Sequence, residues 1–228
     1  MTQPLMSDGA NGLPVADEAE KSKASAKSVK MISAIFVVGH AISFGLAFAI
    51  YKLGSTSKYD SAAKAAFNAD GSGMGAYAFF SAVVYSMLTW WLNMYPLIPK
   101  SRVMLQNKQM RSNMYIYQVN GSSPSEQPAV LLDETGDVGM YNRANRSMHH
   151  FTEWTGGVLF TSLCCIHVYP FPVFVLIVVL AVGRVLHQNG YATGGYGKHA
   201  PGFMLAIASY TTIEMLCLIA GVRQLMLS

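Results

Sequence analysis

Of 228 residues only 12% are charged and 52% are hydrophobic, with a formal net charge of +4. Too few charges remain to hydrate a compact domain of this length, so the composition excludes a soluble globule. The small charge balance, with no basic run interleaved with aromatics, gives no support to a nucleic-acid partner.

Residues 1–28 hold Gly9, Gly12, Pro14 and a cluster of Asp17, Glu18, Glu20, Lys21, Lys23 and Lys27. They read as a disordered polar tail with no cleaved signal evident in it. Residues 29–53 follow as a first transmembrane helix, its apolar run spanning 31–53. A helix needs about 20 apolar residues to cross the hydrocarbon at roughly 1.5 Å per residue. Runs at 74–98, 151–169 and 201–222 meet or approach that length, and 171–186 makes a shorter fifth. The sequence Tyr169-Pro170-Phe171-Pro172 predicts a tight turn that folds 151–169 and 171–186 into a hairpin. Between the second and third spans lies a long polar loop, 100–142, predicted to be helical at its start and irregular around Gly121, Pro124 and Pro128. The fold class is therefore all-α, a polytopic membrane helix bundle with the lipid bilayer as its surroundings.

Lys21, Lys23, Lys27, Lys30, Lys100, Arg102, Lys108, Arg111, Arg143, Arg146 and Lys198 fall on one side of this topology, against Lys52, Lys58, Lys64 and Arg223 on the other. The asymmetry predicts a cytosolic N-terminus and a cytosolic 100–142 loop. Cys164, Cys165 and Cys217 sit inside apolar runs and read as packing residues. His40 and Glu214, both near mid-membrane, read as a pair that docks the first helix onto the others. Trp90, Trp91 and Tyr95 read as lipid-facing or interfacial anchors.

Charged side chains at the mouth of membrane helices are costly and mark candidate sites. On a helix, Arg143, Arg146, His150, Glu153 and Gly157 fall at i, i+3, i+7, i+10 and i+14, one continuous stripe. A second cluster closes the fourth span, where Arg184, His187 or Gln188, and Tyr191 share a face. The two supply cations for carboxylates, a carboxylate for an ammonium group, and hydroxyl or imidazole donors. His149 and His150 point about 100° apart on a helix and have no third ligand in register, so no metal is assigned.

The stretch Arg146-Ser147-Met148-His149-His150-Phe151-Thr152-Glu153 resembles the Arg-Ala-x-x-Asn-x-x-Glu pattern of the membrane-associated eicosanoid and glutathione metabolism (MAPEG) family. Gly183-Arg184-Val185-Leu186, running through Gly190-Tyr191-Ala192-Thr193-Gly194 to Lys198, resembles the end of that family's third helix, in its microsomal glutathione S-transferase 3 type. The resemblance covers residues 74–228, which would form a four-helix MAPEG-like unit, with 29–53 as an extra N-terminal transmembrane helix. It implies a homotrimer in the endoplasmic reticulum with glutathione as cofactor bound between subunits; apart from the resemblance, a mitochondrial or plastid membrane is the alternative compartment. It implies that Arg146, His150, Glu153, Arg184, His187 and Tyr191 hold glutathione while Lys198 stabilises its thiolate, the nucleophilic form. The activity implied is a glutathione S-transferase or peroxidase acting on a lipophilic substrate, an electrophile or a lipid hydroperoxide. His150, His187 and Lys198 stand where the family has asparagine, tyrosine and arginine, and lysine lacks the planar fork of a guanidinium. The alternative is a catalytically attenuated structural subunit of a larger membrane complex.

Overall fold

The computed structural model describes residues 16–66, 73–105, 114–120 and 129–227. In chain order these form α1 (Glu18–Leu53), α2 (Thr56–Ala66), α3 (Ala76–Met94), α4 (Leu97–Met104), β1 (Tyr117–Asn120), β2 (Ala129–Leu132), α5 (Gly136–Cys165), α6 (Pro170–Gly194) and α7 (Ala200–Leu227). Apart from the antiparallel β1–β2 hairpin, in which Tyr117 faces Leu132, the described secondary structure is helical. Three helices, α1, α6 and α7, are long and apolar enough to cross a membrane.

The first helix begins well before its apolar run. Asp17 accepts a hydrogen bond from the Glu20 amide at 2.8 Å, and Glu18 and Glu20 lie in the first turn, where negative charge meets the positive end of the helix dipole. With no proline to stop it, the helix continues for 36 residues. The tail predicted to be disordered through residue 28 is thus helical from Glu18, and residues 1–15 of it lie outside the described residues. Ile32 is the single buried residue of α1; beyond it Val37, Phe44 and Leu53 are exposed.

The core sits among α3, α5, α6 and α7, where Tyr85, Leu92, Phe151, Val158, Ile177 and Ile213 pack together. The α5–α6 connection is short because Pro170 opens α6 at a position where its missing N–H costs nothing. Helices α6 and α7 approach each other backbone to backbone. A Cβ on Gly183 would lie 2.7 Å from the Ala206 amide nitrogen, and one on Gly202 would collide with the His187 backbone. Glycine at both positions lets the two backbones touch, as small residues do between membrane helices.

The 100–142 segment is more ordered at its ends than a polar loop suggests. Its start is helical in α4, and its last seven residues already belong to α5; 106–113 and 121–128, which include Gly121, Pro124 and Pro128, lie outside the described residues. Asn142, fully buried, donates to the Ile116 and Asp133 carbonyls, both at 2.7 Å, and accepts from the Ile116 amide at 3.0 Å. Asn145 donates to the Met114 carbonyl at 2.9 Å. These bonds tie the irregular backbone on either side of the hairpin to α5 and supply partners to its polar groups.

An ion network joins α1, α4 and α5. Arg102 reaches Asp137 at 2.6 Å and Glu18 at 2.8 Å, and Lys21 reaches Asp137 at 3.0 Å and Glu18 at 3.1 Å. Burial alone would raise the Asp137 carboxyl, but hydrogen bonds from Arg102 and Lys21 outweigh it and hold the group below the usual carboxylate range. Hydrogen bonds to Asp137 and then Glu18 hold Lys21 above the usual lysine range.

One docking expectation is corrected. His40 hydrogen-bonds its own helix, at the Phe36 carbonyl, and packs edge-on against Trp90, while Glu214 pairs with Tyr210 on α7. Each polar group finds a partner within reach of its own helix. Trp90 and Trp91 receive Phe36 of α1, and the Tyr95 hydroxyl donates to Asn189 at 2.9 Å, so these aromatics join helices instead of facing only lipid.

Candidate functional site

A hollow of about 320 Å³ opens where the first half of α5 meets the end of α6 and the start of α7. Its wall contains Arg146, Ser147 and His150 from α5, His187 and Tyr191 from α6, and Tyr196, His199 and Phe203 from the turn and α7. The helical stripe read from the sequence accounts for the α5 face. The α6 face follows because His187 and Tyr191 are one turn apart.

The turn that closes the hollow depends on glycine. Gly195 and Gly197 have φ values of +70° and +92°, in the left-handed region that L side chains rarely adopt. Arg143 braces the same corner from α5: its Nε donates to the Tyr191 carbonyl at 3.1 Å and its Nη2 to the Ala192 carbonyl at 3.1 Å, supplying donors to the end of α6. Its Nη1 donates to the Glu134 carbonyl at 2.8 Å.

Arg184 lies beneath the wall, 1% exposed, with no carboxylate of the described residues bonded to it. Its Nη2 donates to the Ser147 carbonyl at 2.9 Å and its Nη1 to His150 Nδ1 at 3.4 Å, while Nε has no hydrogen-bond partner. The guanidinium stands 5.4 Å from the Phe151 ring centroid and 5.8 Å from that of Trp154, contacts that stabilise a cation through the ring quadrupole. An isolated buried cation is held at considerable cost, and an anion placed above it would relieve that cost.

His187, also buried, shares a hydrogen bond of 3.0 Å with Ser147 Oγ and lies 5.3 Å from His199 and 5.7 Å from His150 between ring centroids. No group of three His, Cys, Asp or Glu side chains among the described residues is arranged to hold a metal ion.

Of the residues singled out from the sequence, Arg146, His150, His187 and Tyr191 share this wall, and Arg184 lies under it. Glu153 is off the wall but bonded to Arg146 at 3.0 Å, both side chains being half exposed. Lys198 is exposed and does not line the hollow; its Cβ and Cγ lie over Gly194, and the next residue, His199, takes the place on the wall. The turn decides this, since adjacent residues in it point in different directions. Tyr196, Phe203 and the brace Arg143 were not assigned to the site by sequence reasoning. Arg143 carried a signal, being the first member of the α5 stripe, but Phe203 looks like any apolar residue at a helix start.

No protein-family model, curated protein or solved structure matches the chain.

Proposed function

We propose that the hollow is a glutathione site on a MAPEG-like membrane protein that acts on lipophilic electrophiles or lipid hydroperoxides. The observation that carries this reading is the placement of Arg146, His150, His187 and Tyr191 around one hollow, over a buried Arg184 whose Nε lacks a partner. The donor set fits a zwitterionic tripeptide: guanidinium groups for its carboxylates, Glu153 beside Arg146 for its ammonium, and imidazole and phenol groups for its amides. At about 320 Å³ the hollow is at the lower end of the roughly 300–1,000 Å³ of small-molecule sites. Glutathione would supply a thiolate nucleophile; the chain's own groups orient it and offset its negative charge.

The same reading takes α3, α5, α6 and α7 as the four-helix unit and α1 as the added helix, five spans in all, with the hollow on the cytosolic side. The half-exposed Arg146–Glu153 pair marks a face that neighbouring subunits of a homotrimer would cover. The endoplasmic reticulum is the compartment the resemblance implies.

A second reading, a subunit that has kept the fold and lost catalysis, is favoured by the position of Lys198, the cation assigned to the thiolate, away from the wall. The test is titration of the purified full chain with glutathione while following the ultraviolet absorbance of the thiolate. Binding with a thiolate signal, and consumption of a lipid hydroperoxide, support the enzyme. Binding without thiolate supports the attenuated subunit, and absence of binding removes the glutathione reading altogether.

A further inference from the structure

A second hollow, of about 290 Å³, lies between α3, α5 and α6. Its wall is formed by Ala78, Phe79, Ala82, Leu159, Leu163 and Ile177, interrupted by Ser81, Tyr85 and Ser162. Ser162 is 12 residues beyond His150 on α5, or about 18 Å along the helix axis, so this hollow is separate from the one described above.

The hydroxyl of Ser162 stands apart from the neighbouring serine and threonine hydroxyls of the bundle. Ser81 donates to the Tyr77 carbonyl at 2.7 Å, Thr155 to that of Phe151 at 3.1 Å, Thr161 to that of Gly157 at 2.8 Å and Ser209 to that of Leu205 at 2.9 Å. Each bonds back to its own helix, as such residues do where water is absent. Ser162 Oγ, in a residue only 8% exposed, makes no such bond and has no hydrogen-bond partner among the described residues. A buried hydroxyl in apolar surroundings is destabilising unless something accepts its proton. The Tyr85 hydroxyl, buried on the same wall, likewise has no hydrogen-bond partner among the described residues.

We infer that this hollow binds a neutral, slender apolar molecule carrying one oxygen function, a single-chain lipid alcohol, whose oxygen accepts from Ser162. No cation or carboxylate lines the hollow, which disfavours a charged head group. The volume suits a single chain. The rim residues Phe79, Leu159 and Leu163 are themselves exposed on the lipid-facing surface, so the ligand enters sideways from the bilayer. This site is independent of the glutathione reading and stands or falls separately from it.

The test is photolabelling of the full chain in phosphatidylcholine nanodiscs with a decanol that carries a diazirine in its chain, the adducts being located by peptide mass spectrometry. Adducts are expected on 76–85 and 159–177, suppressed by excess 1-decanol and unaffected by decane. Ser162→Ala is expected to lower this labelling about fivefold, the effect of one lost hydrogen bond. Ala82→Phe, which keeps the hydroxyl and fills the space, is expected to abolish it. Adducts spread evenly over lipid-facing helix surfaces, competition by decane equal to that by decanol, or full labelling of a folded Ser162→Ala protein would each overturn the proposal.

Discussion

The two ends of α5 are built on different principles. Its first half is held from three sides by polar bonds that leave the helix: Asp137 to α1 and α4, Asn142 and Asn145 to the chain before and after β1 and β2, and Arg143 to the end of α6. In its second half the threonine hydroxyls turn back onto the helix's own carbonyls, and packing is by apolar contact with α3, α6 and α7. A polar cage fixes side-chain direction, which is what a site of converging groups needs. Apolar packing constrains direction less and leaves a hollow between α3, α5 and α6. The difference teaches where in this bundle a substitution acts through geometry and where it acts through volume.

The sharpest way to break the contrast is Asn142→Ala. It removes three hydrogen bonds and strips the Ile116 amide and the buried Asp133 of their Asn142 partner, while the Ile116 carbonyl keeps only the Asp133 amide, an expected loss of about 3 kcal/mol. Hydrogen exchange should show the amides of 114–120 and 129–133 losing protection before those of α6. Next is Gly202→Ala, which forces α7 away from the His187 backbone at a cost of about 2 kcal/mol by thermal unfolding in detergent. Its counterpart in the apolar half of α5, Gly156→Ala, meets nothing within 4 Å and should leave stability unchanged or raise it slightly, through helix propensity.

Asp137→Asn should cost about 1 kcal/mol, since the network is partly exposed and screened by salt. Its pH dependence follows from the directions of the shifts. A lowered carboxylate pKa means the contribution of Asp137 is complete above the usual carboxylate range and is lost as pH falls through the lowered value. A raised lysine pKa means that of Lys21 is complete below the usual lysine range and is lost as pH rises through the raised value. Wild type should therefore show a plateau between these limits, with an acid limb that Asp137→Asn diminishes in unfolding titrations. The smallest effect is expected for Thr161→Val, whose hydroxyl serves only its own helix: within about 0.5 kcal/mol. A large loss there would show that the apolar half is more tightly specified than its bonding suggests.

Much of this protein was legible in its residues one at a time. Long runs of apolar side chains predict helices because a single segment satisfies its own backbone in hydrocarbon only as a helix; the Pro170 turn follows from proline chemistry, and the stripe from Arg143 through His150 to Glu153 from helical spacing. The sequence did not reveal that α1 begins at Glu18, because its polar first turns gain their support from Arg102 and Asp137, 84 and 119 positions away. Nor could it distinguish Lys198 from His199. Whether a turn residue faces a hollow depends on left-handed glycines and on a brace from another helix.

By itself, then, the sequence determined the helical character, the affinity for a bilayer and the two charged clusters, since these depend on local composition and a fixed helical period. Only the tertiary structure decided which members of the clusters meet, that Arg184 lies buried beneath them with no carboxylate of the described residues bonded to it, and that Ser162 lines an apolar space. Those outcomes depend on which helix packs against which, and packing is a property of surfaces brought together across the whole chain.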